Sequence, residues 1–360
     1  MKIIDRYIIK QFIFTFIFAQ AALSMIFVVI DLMSNLDKFL DQNASVEVIA
    51  SYYFYFMPEI IKMLTPIASL LSTLFTMGRM STLNEITAMK SGGVSLYRIM
   101  LPFVTMAILI SFAHLYFNGW VVPESNKQKH DISNKYFSTS NSNAPIYNLY
   151  FREGPTVNLL MQHYDSDIKS GSRIAIEYFT DEVTPRLSRR IESNIILWDE
   201  VKQKWMMKQV IERIYSGNNV NTIKHDSLEI TLNITDSKIA KLKKSPDEMN
   251  FDELAEFIEI LQSGGRNVRE LQIDYHGQFA FPFANFIVIL FGVPFASVRR
   301  KGGIAIQIGA ALVISFFYII FLKVSQPLAQ TMDIQPIVAG WMANMIFFVA
   351  GIIVIFKTKT

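Results

Sequence analysis

Six long apolar runs constrain this chain more than any other feature. A helix needs about 20 predominantly apolar residues to cross a bilayer core. Gln11–Ile30, QFIFTFIFAQAALSMIFVVI, carries no charge. Met63–Met77 is the uncharged part of a second run, which extends back toward Ser51 through YYFYFMPEIIK. Ile99–Pro123 is a third, with His114 inside it, and Gly277–Val298, Gly302–Leu322 and Ile334–Phe356 are three more. The expectation is an α-helical membrane protein with six transmembrane helices, three before and three after a long polar middle. Composition agrees: 51% of the 360 residues are hydrophobic and only 18% charged, too apolar for an ordinary soluble protein. The first run is too long for a cleaved signal peptide and lacks a small-residue cleavage site, so it is expected to stay.

Lys and Arg in short loops set the orientation of such a bundle. The N-terminus carries Lys2, Arg6 and Lys10; the second connection carries Arg79, Lys90 and Arg98. Arg299, Arg300 and Lys301 follow the fourth run, and Lys357 and Lys359 close the chain. The first connection instead holds Asp31, Asp37, Asp41 and Glu47 against Lys38. Every basic segment falls on one side. Both termini and the loops 78–98 and 299–303 are therefore expected in the cytoplasm, with the loops 31–50 and 323–335 and the polar middle outside.

The middle reads as β-rich. IYNLYF, VNLLMQHY, RIAIEYF, SNIILW, KWMMKQVIERIY and SLEITLNI are separated by turn-forming segments such as REGP and SGNN. Strands of that length and spacing point to a sandwich or open barrel. Asp199–Glu200 reads as a hairpin turn. Next comes an amphipathic helix with Phe251, Leu254, Phe257, Ile258 and Leu261 on its stripe, Asn250 and Glu253 as its cap, and Gly264–Gly265 as its stop. The expected organisation is spans 1–3 in 1–123, a β-domain in 124–246, a connecting helix in 247–270, and spans 4–6 in 271–360.

Much chemistry is excluded. There is no cysteine, hence no disulfide and no thiolate nucleophile. No P-loop, no H-E-x-x-H and no G-x-S-x-G occurs, so no ATPase, metal or cofactor site and no hydrolase elbow is expected. A net charge of +3 points to no nucleic-acid partner. His114 is the one ionisable group deep in an uncharged run; a neutral histidine hydrogen-bonded within the bundle is favoured over a functional one. Glu59 and Lys62 are spaced to pair at i, i+3 or to snorkel.

One short segment stands out. STLNEITAMKSGG, residues 81–93, lies between spans 2 and 3. Thr82 and Glu85 spell the capping box T-x-x-E, and Gly92–Gly93 supply a stop. A permease without its own ATPase must receive force through a stiff cytoplasmic element, and a capped helix held between two spans can transmit it. An interfacial turn helix, with Glu85 merely completing the box, explains the same letters.

The chain resembles the permease subunits of the lipopolysaccharide-export ABC transporter, the LptF/LptG family. The resemblance is carried by DRYIIKQFIFTFI, NEITAMKSGGVSLYRI, FDELAEFIEILQSGG, the Tyr275 to Pro282 stretch, FGVPFASVRRKGG and GWMANMIFFVAG, in that order over nearly the whole chain. It implies six spans and a periplasmic jellyroll-like β-domain in the bacterial inner membrane. The implied partners are a second permease subunit, a cytoplasmic ATPase dimer, a periplasmic bridge protein and lipopolysaccharide. By position, Glu85, Ile86, Met89, Gly92 and Gly93 match the family's coupling helix, which docks the ATPase. The resemblance also implies basic residues near the outer end of span 1; here only Lys38 is available to contact a lipid phosphate. Other functions consistent with the residues are export of a different amphiphile, a membrane scaffold whose β-domain binds a partner, and an enzyme acting on lipid.

Overall fold

A computed structural model of the chain describes residues 3–357 apart from 138–145, 167, 181–183, 218, 233, 243, 264, 298–302 and 333. The basic residues Arg299, Arg300 and Lys301 therefore lie outside the described residues. The chain divides into two compact units, Met1–Phe137 with Arg269–Thr360, and Ser138–Val268.

The first unit is helical. It comprises α1 (Ile3–Ser34), α2 (Leu36–Asp41), α3 (Val46–Thr82), α4 (Glu85–Ser91), α5 (Leu96–Tyr116) and α6 (Val122–Tyr136), then, late in the chain, four more helices. Among the described residues, five helical stretches are long and apolar enough to cross a membrane: Ile3–Ser34, Val46–Thr82, Leu96–Tyr136, Arg269–Pro294 and Pro336–Lys357. A further helix, Gly303–Thr331, covers the remaining sequence-predicted span; its described apolar part is Phe316–Ser325. The third stretch differs from expectation. It continues past Pro123 through a π-helical turn, Phe117–Val121, and α6, so residues 124–136 are helix and not part of the β-rich middle.

Polar side chains hold this unit together where a proline interrupts it. Pro282 lies in a 3₁₀ turn, Phe281–Phe283, which frees neighbouring backbone carbonyls from helical bonding. Inside an apolar bundle such groups need partners. Asn118 Nδ2 donates to Gln278 O at 2.7 Å, Asn344 Nδ2 to Ala280 O at 2.5 Å, and Asn285 Nδ2 to Pro282 O at 2.8 Å. Asn285 Nδ2 also lies 2.9 Å from His114 Nδ1, and Ser69 Oγ donates to Asn285 Oδ1 at 3.2 Å. His114 is thus a buried member of a hydrogen-bonded bundle network, as favoured from sequence. Glu59 pairs with Lys129 at 2.5 Å, a partner 70 residues away rather than the neighbouring Lys62.

The second unit is a six-stranded antiparallel sheet of β1 (Ile146–Glu153), β2 (Val157–Asp165), β3 (Ser170–Phe179), β4 (Leu187–Asp199), β5 (Lys204–Ser216) and β6 (Asn219–Ile230), with neighbours in chain order. It carries α7 (Asp236–Lys241) and α8 (Phe251–Ser263). A jellyroll joins its strands through Greek-key crossovers. Among the described residues this sheet is a meander instead, because short hairpins such as Glu200–Gln203 return each strand beside the one before it. Asp199 Oδ1 accepts from Val201 N and Lys202 N to close that turn.

The sheet has one unusual feature. Inward-facing residues follow every second position along β2, Leu159 and Met161, and then skip to Tyr164. The same skip separates Ile174 from Gly171 in β3, Ser193 from Ile196 in β4, and Val210 from Met207 in β5. The pairing registers show the cause: Gln162, Arg173, Asn194, Gln209 and Asp226 form one level across the strands, and the ladder has no pair there. The register is the same on either side of that level, so the interruption in each strand stands opposite that of its neighbour, and the same apolar face stays inward along β2, β3, β4 and β5. Arg173 and Gln209 take left-handed conformations at this level, φ 50° and 53°. The buried Ser193 hydroxyl lies 2.5 Å from Lys208 O and 2.8 Å from Ile195 O, and so serves the interrupted ladder. Nearby, the hydrogen bond from His225, and then Arg189, hold the Glu212 carboxyl below its ordinary range.

On β5 and beyond, Trp205 is fully buried and donates Nε1 to Ile234 O at 2.7 Å. Tyr164 donates its hydroxyl to Asp236. These bonds pin the chain that leaves β6 against the apolar face, where Ile239 of α7 and Ile260 of α8 join the core.

The four late helices of the first unit are α9 (Arg269–Ala280), α10 (Ala284–Ser297), α11 (Gly303–Thr331) and α12 (Pro336–Lys357). α10 packs against α3 through Val288, Ile289 and Val293, in one core with Leu70, Leu74 and Met77.

Candidate functional site

The candidate site is α4 and the helix ends around it. α3 runs five residues further than its uncharged stretch and ends at Thr82. The Thr82 hydroxyl donates back to Gly78 O at 2.9 Å, within its own helix. Leu83 and Asn84 make the whole link to α4, and Asn84 takes a left-handed conformation, φ 58°, which asparagine tolerates better than most residues. The predicted capping box is therefore not formed. Glu85 is the first residue of α4 rather than its third, and its Oε1 accepts a hydrogen bond from Tyr7 of α1 at 3.1 Å.

The other sequence-selected residues divide by burial. Ile86 is 3% exposed and sits in the core with Ile8 and Phe12 of α1, Met77 and Met80 of α3, and Leu96 and Ile99 of α5. Met89 is half-buried against the same cluster. Gly92 and Gly93 end the helix as expected. Val94 N donates to Met89 O and Gly93 N to Lys90 O, both at 2.9 Å, the paired bonds of a Schellman motif. Gly93 holds the left-handed position with φ 79°. What α4 and its entry turn offer outward is Leu83, Asn84, Thr87, Ala88 and Ser91, all exposed. A partner here meets a shallow surface of small side chains with one leucine, and Glu85 at its edge.

Sequence reasoning missed the second half of the site. Asp5 of α1 is 7% exposed and pairs with Arg98 of α5 at 2.8 Å. With Tyr7, it ties the N-terminal turns of α1 to both neighbours. Asp5, Ile8 and Phe12 fall on one stripe of α1 and, with Ser24, are its buried residues among those described. The i, i+3, i+7 spacing of 5, 8 and 12 is the signal that was available. Further along, α1 and α3 enclose an apolar groove of about 490 Å³, lined by Phe16, Ile17, Ala21, Met25 and Val28 against Met57 and Ile61. Gln20 Nε2 donates to Ile61 O at 3.3 Å within it.

Lys38 is apart from this site. It is exposed on α2, with Nζ 3.4 Å from Asn35 Oδ1 and Asp37 and Asp41 on the same short helix.

A helical bundle with apolar spans, a short helix linking two of them and a separate antiparallel sheet is an architecture that comparison can place. The family described as lipopolysaccharide export system permease LptF/LptG matches residues 6–357. The chain belongs to the LptF/LptG family. The match runs through α4, the groove helices and the sheet alike. LptF/LptG proteins are transport permeases. Among curated relatives, the lipopolysaccharide export system permease protein LptG of Escherichia coli (strain K12) is 20% identical over 363 residues, 97% of each chain. LptG of Haemophilus influenzae is 20% identical over 299 residues, 82% of each.

Proposed function

We propose that this chain is the permease subunit of an ABC transporter that draws lipopolysaccharide from the inner membrane and passes it by way of its β-domain toward the outer membrane. The family match over nearly the entire chain carries this assignment. In this account the chain has six spans, both termini lie in the cytoplasm, and the β-domain faces the periplasm, as the Lys and Arg distribution supports. A second permease subunit completes the lipid pathway. A separate cytoplasmic ATPase dimer supplies the energy, since the chain carries no P-loop.

α4 is the docking helix for that ATPase. Its residues have distinct tasks. Ile86 and Met89 root the helix in the bundle, Gly92 and Gly93 end it sharply, and Glu85 stands where it can face both Tyr7 and a partner. The edge strand β6, exposed along most of its length, offers unpaired backbone groups to a periplasmic bridge protein. Lys38 is the cation of α2 available to a lipid phosphate.

The experiment is purification of the tagged chain after mild solubilisation. An ATPase should accompany the wild type in stoichiometric amount and be lost from Glu85→Lys, while membrane insertion is unchanged. Wild-type chain that never carries an ATPase contradicts the permease assignment.

A further inference from the structure

The helix assigned to the ATPase and the helix lining the apolar groove meet at one place. We propose that Asp5, Tyr7 and Arg98 are positioning residues that make α1 a lever: movement of α4 is carried through them into the width of the groove between α1 and α3. The inference rests on the docking role of α4.

Three observations converge on it. First, α1 is held at its N-terminal turns by directional bonds, Tyr7 to Glu85 on α4 and Asp5 to Arg98 on α5. A buried carboxylate paired with a guanidinium fixes both distance and angle, because breaking the pair leaves a charge without compensation. Second, the apolar contact beneath those bonds is continuous. Ile8 and Phe12 are fully buried in the cluster that contains Ile86, and the Phe12 ring meets Phe103 of α5 edge-on at 5.9 Å. A displacement of α4 cannot leave the foot of α1 in place without opening that core. Third, beyond Phe12 α1 is half exposed and meets α3 on both sides of the groove, with Gln20 Nε2 donating to Ile61 O at 3.3 Å and the Tyr53 hydroxyl donating to Asp31 at 2.8 Å. A helix of 32 residues held at its foot carries a displacement along its length to those contacts and to the groove between them.

The chain has no cysteine, so two can be introduced without background. Spin labels at Met25→Cys on α1 and Phe54→Cys on α3, both highly exposed, report the distance across the groove. The measurement uses the complete transporter in nanodiscs, with and without trapped ATP. The wild type should show a nucleotide-dependent shift in that distance. Asp5→Ala and Arg98→Ala should retain the ATPase and its hydrolysis but lose the shift, and the charge-swapped pair Asp5→Arg with Arg98→Asp should recover it. Tyr7→Phe removes one hydroxyl without disturbing the packing and should reduce the shift. A merely structural pair would alter folding but not the nucleotide response. Hydrolysis with an unchanged distance in the wild type, or an undiminished shift in the single variants, overturns the lever alone. A wild type with no ATPase overturns the docking role as well.

Discussion

Helices α4 and α8 begin with the same kind of sequence signal and are built differently. Before α8, Asn250 and Glu253 bond reciprocally: Glu253 N donates to Asn250 Oδ1 at 2.9 Å and Asn250 N to Glu253 Oε2 at 3.2 Å. Before α4, Thr82 and Glu85 have the same spacing and form no such pair. Asn250 follows a 3₁₀ turn, Pro246–Glu248, and the extended Met249, so it can start a new helix. Thr82 already belongs to α3, and its hydroxyl is used there. A capping box needs a chain that has not yet begun to coil; four letters do not record that. The glutamate of α8 is bonded at its own helix start and paired with the nearby Lys244, whereas the glutamate of α4 reaches another helix 78 residues away.

The largest test of this contrast is Ile86→Ala. α4 is rooted by its core contact rather than by a cap, so this variant should lose about 2–4 kcal/mol, read as a lowered melting midpoint of the purified protein. A near-neutral result would mean that α4 is not held from beneath. Asn250→Ala should cost about 1 kcal/mol and expose the first amides of α8 to faster hydrogen exchange. Unchanged exchange would remove the reciprocal box from the account. Gly93→Ala should also cost about 1 kcal/mol, entirely from its left-handed backbone, since a Cβ there would meet no atom within 4 Å. Thr82→Ala should be the smallest, within about 0.5 kcal/mol, because its hydroxyl only bonds back to Gly78. A loss as large as that of Asn250→Ala would restore the capping box.

Five of the six expected spans were legible because length and absence of charge are enough to define them. The helix stop at Gly92–Gly93 and the cap at Asn250 were legible because both are local. The sheet was legible as strands but not as a sheet. At one level two successive residues of β2, β3, β4 and β5 face outward, which spoils period-two alternation in SNIILW and KWMMKQVIERIY, and nothing within one strand reveals that its neighbours are interrupted at the same height. Asn84 carried a signal that was overlooked: asparagine between two helical segments favours a left-handed turn. The bonds Tyr7–Glu85 and Asp5–Arg98 join residues far apart in sequence and required the fold.

The central claim is that energy supplied at α4 moves lipopolysaccharide. Its most direct test is release of labelled lipopolysaccharide from proteoliposomes holding the chain with its co-purified ATPase. Release should require ATP and should vanish in Glu85→Lys even when the ATPase is added back and hydrolyses ATP. Release at the wild-type rate from Glu85→Lys, or hydrolysis by the wild type without release of this lipid, would contradict the account.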